Sequence, residues 1–89
     1  MKRKLSFVGD GWDEFMYWIE TDRKKAKKIK SLILDIDRNG AMQGEGHPEP
    51  LKYDPGFYSR HITHGDRLVY AVSDDEIIIK KCRDHYDDK

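Results

Sequence analysis

Residues 43–50 read Gln-Gly-Glu-Gly-His-Pro-Glu-Pro, a stretch that cannot continue a helix. Two glycines loosen the backbone, and two prolines remove amide donors and fix their own φ. The chain is thereby split into a part with helical periodicity and a part with strand character. Upstream, residues 3–8 alternate weakly and predict a short strand. Asp10 then reads as a helix N-cap, with Asp13 and Glu14 well placed against the positive end of the helix. Trp12, Phe15, Met16 and Ile19 fall at i, i+3, i+4 and i+7, an apolar stripe on one side. Thr21 or Asp22 can cap a second helix, in which Ala26, Ile29, Leu32, Ile33 and Ile36 keep helical spacing. Asn39-Gly40 supplies left-handed residues to end it. With almost no loop between them, the two helices predict an antiparallel hairpin.

Downstream, residues 57–62, 68–72 and 77–83 read as strands, and Ser73-Asp74-Asp75-Glu76 as the tight turn of a hairpin between the last two. Strand, helix, helix and then a run of strands is the order of an α+β fold. Its expected form is an N-terminal strand and a helical hairpin packed on a mainly antiparallel sheet. At 89 residues the chain fits one domain, 1–89, with a single modest core. Charged residues make up 38% and hydrophobic ones 37%, but the compact apolar runs argue against disorder. Ile77-Ile78-Ile79 is far too short to span a bilayer. The basic start Met1-Lys2-Arg3-Lys4 is followed too soon by Gly9-Asp10-Gly11 to be a secretory signal. Cys82 is the only cysteine, which points to a reducing cytoplasm and to a small strand side chain rather than a reactive thiol.

Seventeen basic residues offset seventeen acidic ones, so only the distribution of charge is informative. Arg23, Lys24, Lys25, Lys27, Lys28 and Lys30 give the second helix six cations opposed by Asp22 alone. A solvated helix face and a phosphate-binding surface account for them equally well. Glu49, between Pro48 and Pro50, is held on a stiff, extended backbone, as suits either a positioned base or an ordinary surface glutamate. No spacing among His47, His61, His64, His85 and Cys82 matches a zinc site, and Gly44-x-Gly46 leads into prolines instead of a phosphate-binding helix. If the basic face binds RNA, cleavage without a metal needs a base for the ribose 2′-OH, cations around the phosphorus and an acid for the departing oxygen. Glu49, the cations Lys52, Arg60 and Arg67, and His85 have the required chemistry. Pairing Arg67 opposite Lys81 would place Arg67, Lys81, Arg83 and His85 on one face of the last hairpin.

A set of motifs occurs in one order along nearly the whole chain. They are Trp12-Asp13-Glu14, Tyr17-Trp18, Glu20-Thr21-Asp22, Lys27-Lys28-Ile29, Gly46-x-Pro48-Glu49-Pro50-Leu51-Lys52, Ser59-Arg60-x-Ile62-Thr63, Arg67-Leu68-Val69-Tyr70-Ala71-Val72 and His85-Tyr86. In this the chain resembles the YoeB/Txe-type toxins of the RelE-like superfamily. The resemblance implies an α+β toxin that cleaves mRNA in the A site of the 70S ribosome without a cofactor or metal. It also implies neutralisation by a YefM-like antitoxin, with homodimers formed by some members. On the matching positions Glu49 resembles the general base, Arg67 the phosphate-stabilising arginine, His85 the general acid and Tyr86 the terminal aromatic of the site. Lys52 and Arg60 match basic positions near the reacting phosphate, and Lys27 and Lys28 belong to the basic, RNA-facing set. His61 stands where members often carry a second arginine, and Tyr58 where they carry a tryptophan. Asp87-Asp88-Lys89 extends past the usual terminal His-Tyr. Two rivals share the fold: a ParE-like binding toxin acting on DNA gyrase, and a weakened toxin kept for antitoxin binding and operon regulation.

Overall fold

Apolar positions from both sides of the 43–50 breaker meet on one face of a five-stranded sheet. The computed structural model describes residues 1–84. The elements are β1 (Lys4–Phe7), α1 (Gly11–Thr21), α2 (Arg23–Asn39), β2 (Glu49–Pro50), β3 (Tyr58–His61), β4 (Arg67–Val72) and β5 (Glu76–Lys81). Their order across the sheet is β1-β5-β4-β3-β2, with β1 parallel to β5 and every other pairing antiparallel. Two helices on a mixed, mainly antiparallel sheet form the expected α+β fold. No helix among the described residues is long and apolar enough to cross a membrane.

The second helix follows its sequence closely. Asp22 caps it by accepting from the Lys25 amide, and the Gly40 amide closes the other end on the Ile36 carbonyl. Gly40 alone takes a positive φ, of 87°; Asn39 stays in the helix. Ile29, Leu32, Ile33 and Ile36 are all buried against Leu68, Tyr70, Ile77 and Ile79 of the sheet. In α1 the buried face is rotated from the expected stripe. Trp18 is 7% exposed and donates from Nε1 to the Cys82 carbonyl at 2.7 Å, whereas Trp12 is 53% exposed and touches Phe7 edge-on. The cause lies at Gly11, where a Cβ would stand 2.6 Å from the Ile79 carbonyl oxygen. The helix start can come that close to β5 only without a side chain, and this fixes which way α1 faces. Asp10 occupies the N-cap position without using its side chain, and Glu14 reaches out to the Cys82 amide and Lys81.

Arg60, in the middle of β3, is fully buried. A guanidinium has five N–H donors, and every one is used. Nε donates to the Tyr70 hydroxyl, Nη1 to Asp35 and the Glu45 carbonyl, and Nη2 to the carbonyls of Gly40 and Gln43. The Tyr70 hydroxyl donates in turn to the Ala41 carbonyl. Burial pushes the Asp35 carboxyl up, but Arg60, the Glu45 amide and Asn39 hold it below the usual carboxylate range. One side chain thus gathers the turn after α2 onto the sheet and leads the chain into β2, a two-residue strand hidden in the proline-rich stretch. Gly46 completes the approach: its carbonyl accepts from the His61 amide at 2.7 Å, at a φ of 89°.

The last hairpin corrects the expected register. Val69, not Arg67, lies opposite Lys81, because a bulge between Val69/Tyr70 and the facing strand shifts the pairing. Arg67 instead donates its amide to the Asp84 carbonyl. The bulge turns the end of β5 toward α1, so the Lys81 ammonium pairs with Glu14 at 2.9 Å and Arg83 lies 3.9 Å over the Tyr17 ring. Neither joins Arg67. Cys82 is buried, and that burial pushes its thiol up to about 12, which makes it inert at neutral pH.

Two outcomes follow from these contacts. Replacing Arg60 by lysine leaves at least two of its five acceptors without a donor, and urea unfolding should register a loss of about 3 kcal/mol; an unchanged midpoint would contradict the role given to it. Burial raises the Asp66 carboxyl, but Lys25, the Asp84 amide and Thr63 outweigh it and lower it overall. A carboxylate lowered in the folded state stabilises above its unfolded value of about 4 and loses that contribution as pH falls through the folded value. The melting temperature should therefore hold between neutrality and about pH 5 and fall below about pH 4, and Asp66→Asn should flatten that acid limb.

Candidate functional site

Alternation along β3 sends Tyr58 and Arg60 toward the helices and Ser59 and His61 to the opposite face. Cross-strand pairing extends that helix-free face over three strands. Glu49 of β2 lies opposite Ser59, and Ser59 opposite Val69; in the neighbouring row, His61 lies opposite Arg67. His47, just before β2, brings its ring centroid to 5.3 Å from that of His61. Strand spacing puts the Cα atoms of Glu49 and Arg67 roughly 12 Å apart, two strands and two residues removed. Glutamate and arginine side chains can close most of that distance from either side.

Each group is held by a different local device. Glu49 is exposed on a backbone fixed by Pro48 and Pro50 and by pairing with β3. The Nη1 of Arg67 is committed to the carbonyls of Thr63, His64 and Asp66, at 3.0, 3.0 and 3.2 Å. That leaves its Nε and Nη2 uncommitted among the described residues. Lys52, also exposed, sits where the chain leaves β2, with its ammonium 5.7 Å from the ring of Tyr53. The segment that follows folds back on the sheet: Lys80 pairs with Asp54 at 2.6 Å and lies 4.9 Å over the Phe57 ring. Asp66 holds the other side. Its carboxylate accepts from Lys25, Thr63 and the Asp84 amide, so Asp84, the last described residue, is fixed beside Arg67 from two directions.

Glu49, His61 and Arg67 therefore share one face, with Lys52 at its margin. His85 and Tyr86 lie outside the described residues. Arg60 points the other way: with all five donors spent inside the protein, it has none to offer a phosphate. Lys27 and Lys28 sit on α2, across the sheet from Glu49. The Lys28 ammonium is 2.6 Å from Glu45, and Lys27 lines a groove against α1. The α2 cations are thus opposed by more than Asp22, since Glu45 and Asp66 reach Lys28 and Lys25 from later in the chain.

Two contributors carry no signal in the sequence. Asp66 is one of many acidic residues, and its partners Lys25 and Asp84 lie 41 and 18 positions away. His47 meets His61 only through the turn that Arg60 gathers. A face with an exposed carboxylate, a half-committed guanidinium, imidazoles and a lysine can take up a proton and hold a phosphate diester at once.

Comparison with known proteins gives this face a context. The family model described as YoeB-like toxin of bacterial type II toxin-antitoxin system matches residues 7–86. Toxin YoeB of Escherichia coli K12 is 50% identical over 84 residues, covering 93% of this chain and 99% of that protein. Among solved structures, the YoeB dimer from Staphylococcus aureus superposes with a TM-score of 0.92 at 42% identity, covering 97% of this chain and all of the other. The heterotetrameric YoeB-YefM toxin-antitoxin complex from the same organism gives a TM-score of 0.88 at 42% identity over the same shares. With the match spanning almost the full sequence and the full fold, the chain belongs to the YoeB-like toxins of bacterial type II toxin–antitoxin systems.

Proposed function

We propose that the chain is a ribosome-dependent endoribonuclease that cuts mRNA in the A site and so stops translation. In the reaction Glu49 takes the proton of a ribose 2′-OH, and the freed oxygen attacks the adjacent phosphorus. The P–O5′ bond breaks, His85 gives a proton to the departing 5′-oxygen, and the products are a 2′,3′-cyclic phosphate and a 5′-hydroxyl. One proton is removed and one returned, so the balance closes without a metal or cofactor. Arg67 and Lys52 offset the charge that builds on the phosphoryl oxygens, His61 adds a donor between them, and Tyr86 helps to arrange the site.

The observation that carries this reading is the shared face of Glu49, His61 and Arg67, together with the pinning of Asp84 beside Arg67. The residue after Asp84 is His85, so the proposed acid follows directly on a residue pinned to Arg67 and Asp66. Arg60 has the part of a positioning residue, since it holds the turn that delivers Glu49. Lys27 and Lys28 are left to contacts outside the cleavage site. A YefM-like antitoxin is the expected partner, as in the Staphylococcus aureus complex, with a homodimer as in the solved toxin dimer from that organism. The compartment is the cytoplasm, where ribosomes are met and a buried thiol such as Cys82 stays reduced.

Loss of a general base costs about 10²–10⁴-fold in rate. On ribosomes programmed with a defined mRNA, Glu49→Gln should lower the cleavage rate by that range while leaving association with the programmed ribosome in place. Undiminished cutting would end the assignment. Inhibition of DNA gyrase with the mRNA left intact would favour the binding-toxin rival.

A further inference from the structure

Among the described residues only His47 and Asp84 take a positive φ without being glycine, and for His47 it is 54°. A side chain is uncommon in that left-handed region, and such residues cluster at functional sites. His47 follows Gly46, itself at 89°, so two left-handed residues in succession turn the chain just before Pro48. The turn is held from below. The Gly46 carbonyl accepts from the His61 amide, and the enclosed Arg60 holds the carbonyls of Gln43 and Glu45. Continued by two residues, the register of β2 on β3 would put residue 47 opposite His61. The left-handed turn breaks the ladder there but keeps the two side chains together. Their ring centroids are 5.3 Å apart and their planes inclined by 56°.

That separation suits a shared ion. With a metal–nitrogen bond of about 2.1 Å and the nitrogen about 1.1 Å from its ring centre, two imidazoles on one tetrahedral ion have centroids roughly 5.2 Å apart. The inclination is neither that of a stacked pair nor that of an edge-on one. Each ring has two nitrogens, so one can bind a metal while the other keeps a hydrogen bond. His47 is exposed, and its side chain makes no hydrogen bond or ion pair among the described residues. Glu49 is the diagonal neighbour of His61 across β2 and β3, at a separation of roughly 7–8 Å that a long side chain can span. A carboxylate there offsets the charge of a bound cation. Arg67, opposite His61 on its other side, works against it, but its Nη1 is drawn off to the carbonyls of Thr63, His64 and Asp66. No group of three or more metal-binding side chains is assembled among the described residues, so the closed four-ligand arrangement of a structural zinc site does not apply. Water would fill the remaining positions.

We propose that His47 and His61 form a two-imidazole site for one divalent transition-metal ion of the zinc–copper type, and that the ion blocks the face carrying Glu49. Imidazole nitrogen selects these ions over Mg²⁺ and Ca²⁺, which take oxygen ligands. The ion is not a cofactor. Seated beside Glu49, it draws the carboxylate away from proton transfer and occupies the space where a phosphate diester would lie. The blocking rests on the reading of this face as a cleavage site; the binding does not.

The test is a calorimetric titration of the full chain with zinc chloride in excess magnesium chloride, followed by NMR of the histidine ring protons. One ion should bind per chain and shift the ring signals of His47 and His61, leaving those of His64 in place. Asparagine tolerates the left-handed backbone, so His47→Asn should keep its melting temperature yet lose at least about tenfold in zinc affinity. His61→Gln should lose as much and His64→Gln nothing. Copper(II) should bind more tightly than zinc through the same two rings. Affinity unchanged by His47→Asn, a loss on His64→Gln, or binding abolished by the magnesium would each overturn the site. On programmed ribosomes, zinc should slow the wild-type chain more than His47→Asn, each measured against its own metal-free rate; equal slowing would overturn the blocking. A chain that binds zinc through the pair yet cuts no mRNA in its absence would count against the nuclease reading alone.

Discussion

Taking a guanidinium out of water costs several kcal/mol unless its donors are met, and in this fold the fully enclosed Arg60 meets that cost with Asp35, Tyr70 and three main-chain carbonyls. The carbonyls belong to Gly40, Gln43 and Glu45, in a segment whose glycines and prolines bar it from a helix. Without a central donor those groups would have to stay in water, and the segment would be a loose loop. With it, the turn after α2 is drawn against β3 and β4, and β2 begins where the turn ends. The placement of Glu49 is a consequence. Its carboxylate is exposed, but the backbone beneath it is tied to a buried charge.

The same strand divides the molecule. Because side chains alternate along β3, the register that buries Arg60 and stacks Tyr58 on Tyr70 also turns Ser59 and His61 outward. A slip of one residue would expose the guanidinium and bury the imidazole, so the core enforces the composition of the opposite face. β4 repeats the arrangement, with Leu68 and Tyr70 inward and Arg67 outward. Asp66 then joins the two sides. It pairs with Lys25 of α2 and holds Asp84 by its amide, so that α2 packing and the course of the chain toward its C-terminal residues share one carboxylate.

How much of this could be read from the residues depends on how local the determining contacts are. The core stripe of α2 is set by spacing within one helix, and Ile29, Leu32, Ile33 and Ile36 are buried as that spacing implies. The extended backbone at Glu49 was equally legible, since two neighbouring prolines impose it. The face of α1 was not: both tryptophans suit a helical stripe, and the choice of Trp18 over Trp12 is made by the close approach of Gly11 to Ile79, 68 positions away. Arg60 misleads for the same reason. An arginine in a short polar strand reads as a surface cation, while the groups that neutralise it lie 10 to 25 positions off. The bulge in the last hairpin has no turn residue to announce it, and it moved Lys81 and Arg83 from the expected cluster to α1.

Charge distribution shows why the balanced net charge of the chain says so little. The described ion pairs commit Glu14, Asp35, Asp37, Glu45, Asp54, Asp66 and Glu76 to cations of the same fold. These acids come from α1, α2, loops and β5, and each fastens one element to another. Five of their partners, Arg3, Lys4, Arg60, Lys80 and Lys81, lie in or beside strands. The acids outside those pairs gather elsewhere, with Asp10 and Asp13 near the N-terminus of α1 and Asp74 and Asp75 in the last tight turn, where helix dipole and solvent accommodate them. The long side chains of α2 that point away from the sheet receive none. Neutrality of the whole chain is thus reached by spending carboxylates on cohesion, which leaves Arg23, Lys24, Lys27 and Lys30 of α2 without a carboxylate partner among the described residues. Across the sheet Arg67 is held by main-chain carbonyls rather than by a carboxylate, so the same allocation leaves a cation on the face that carries Glu49.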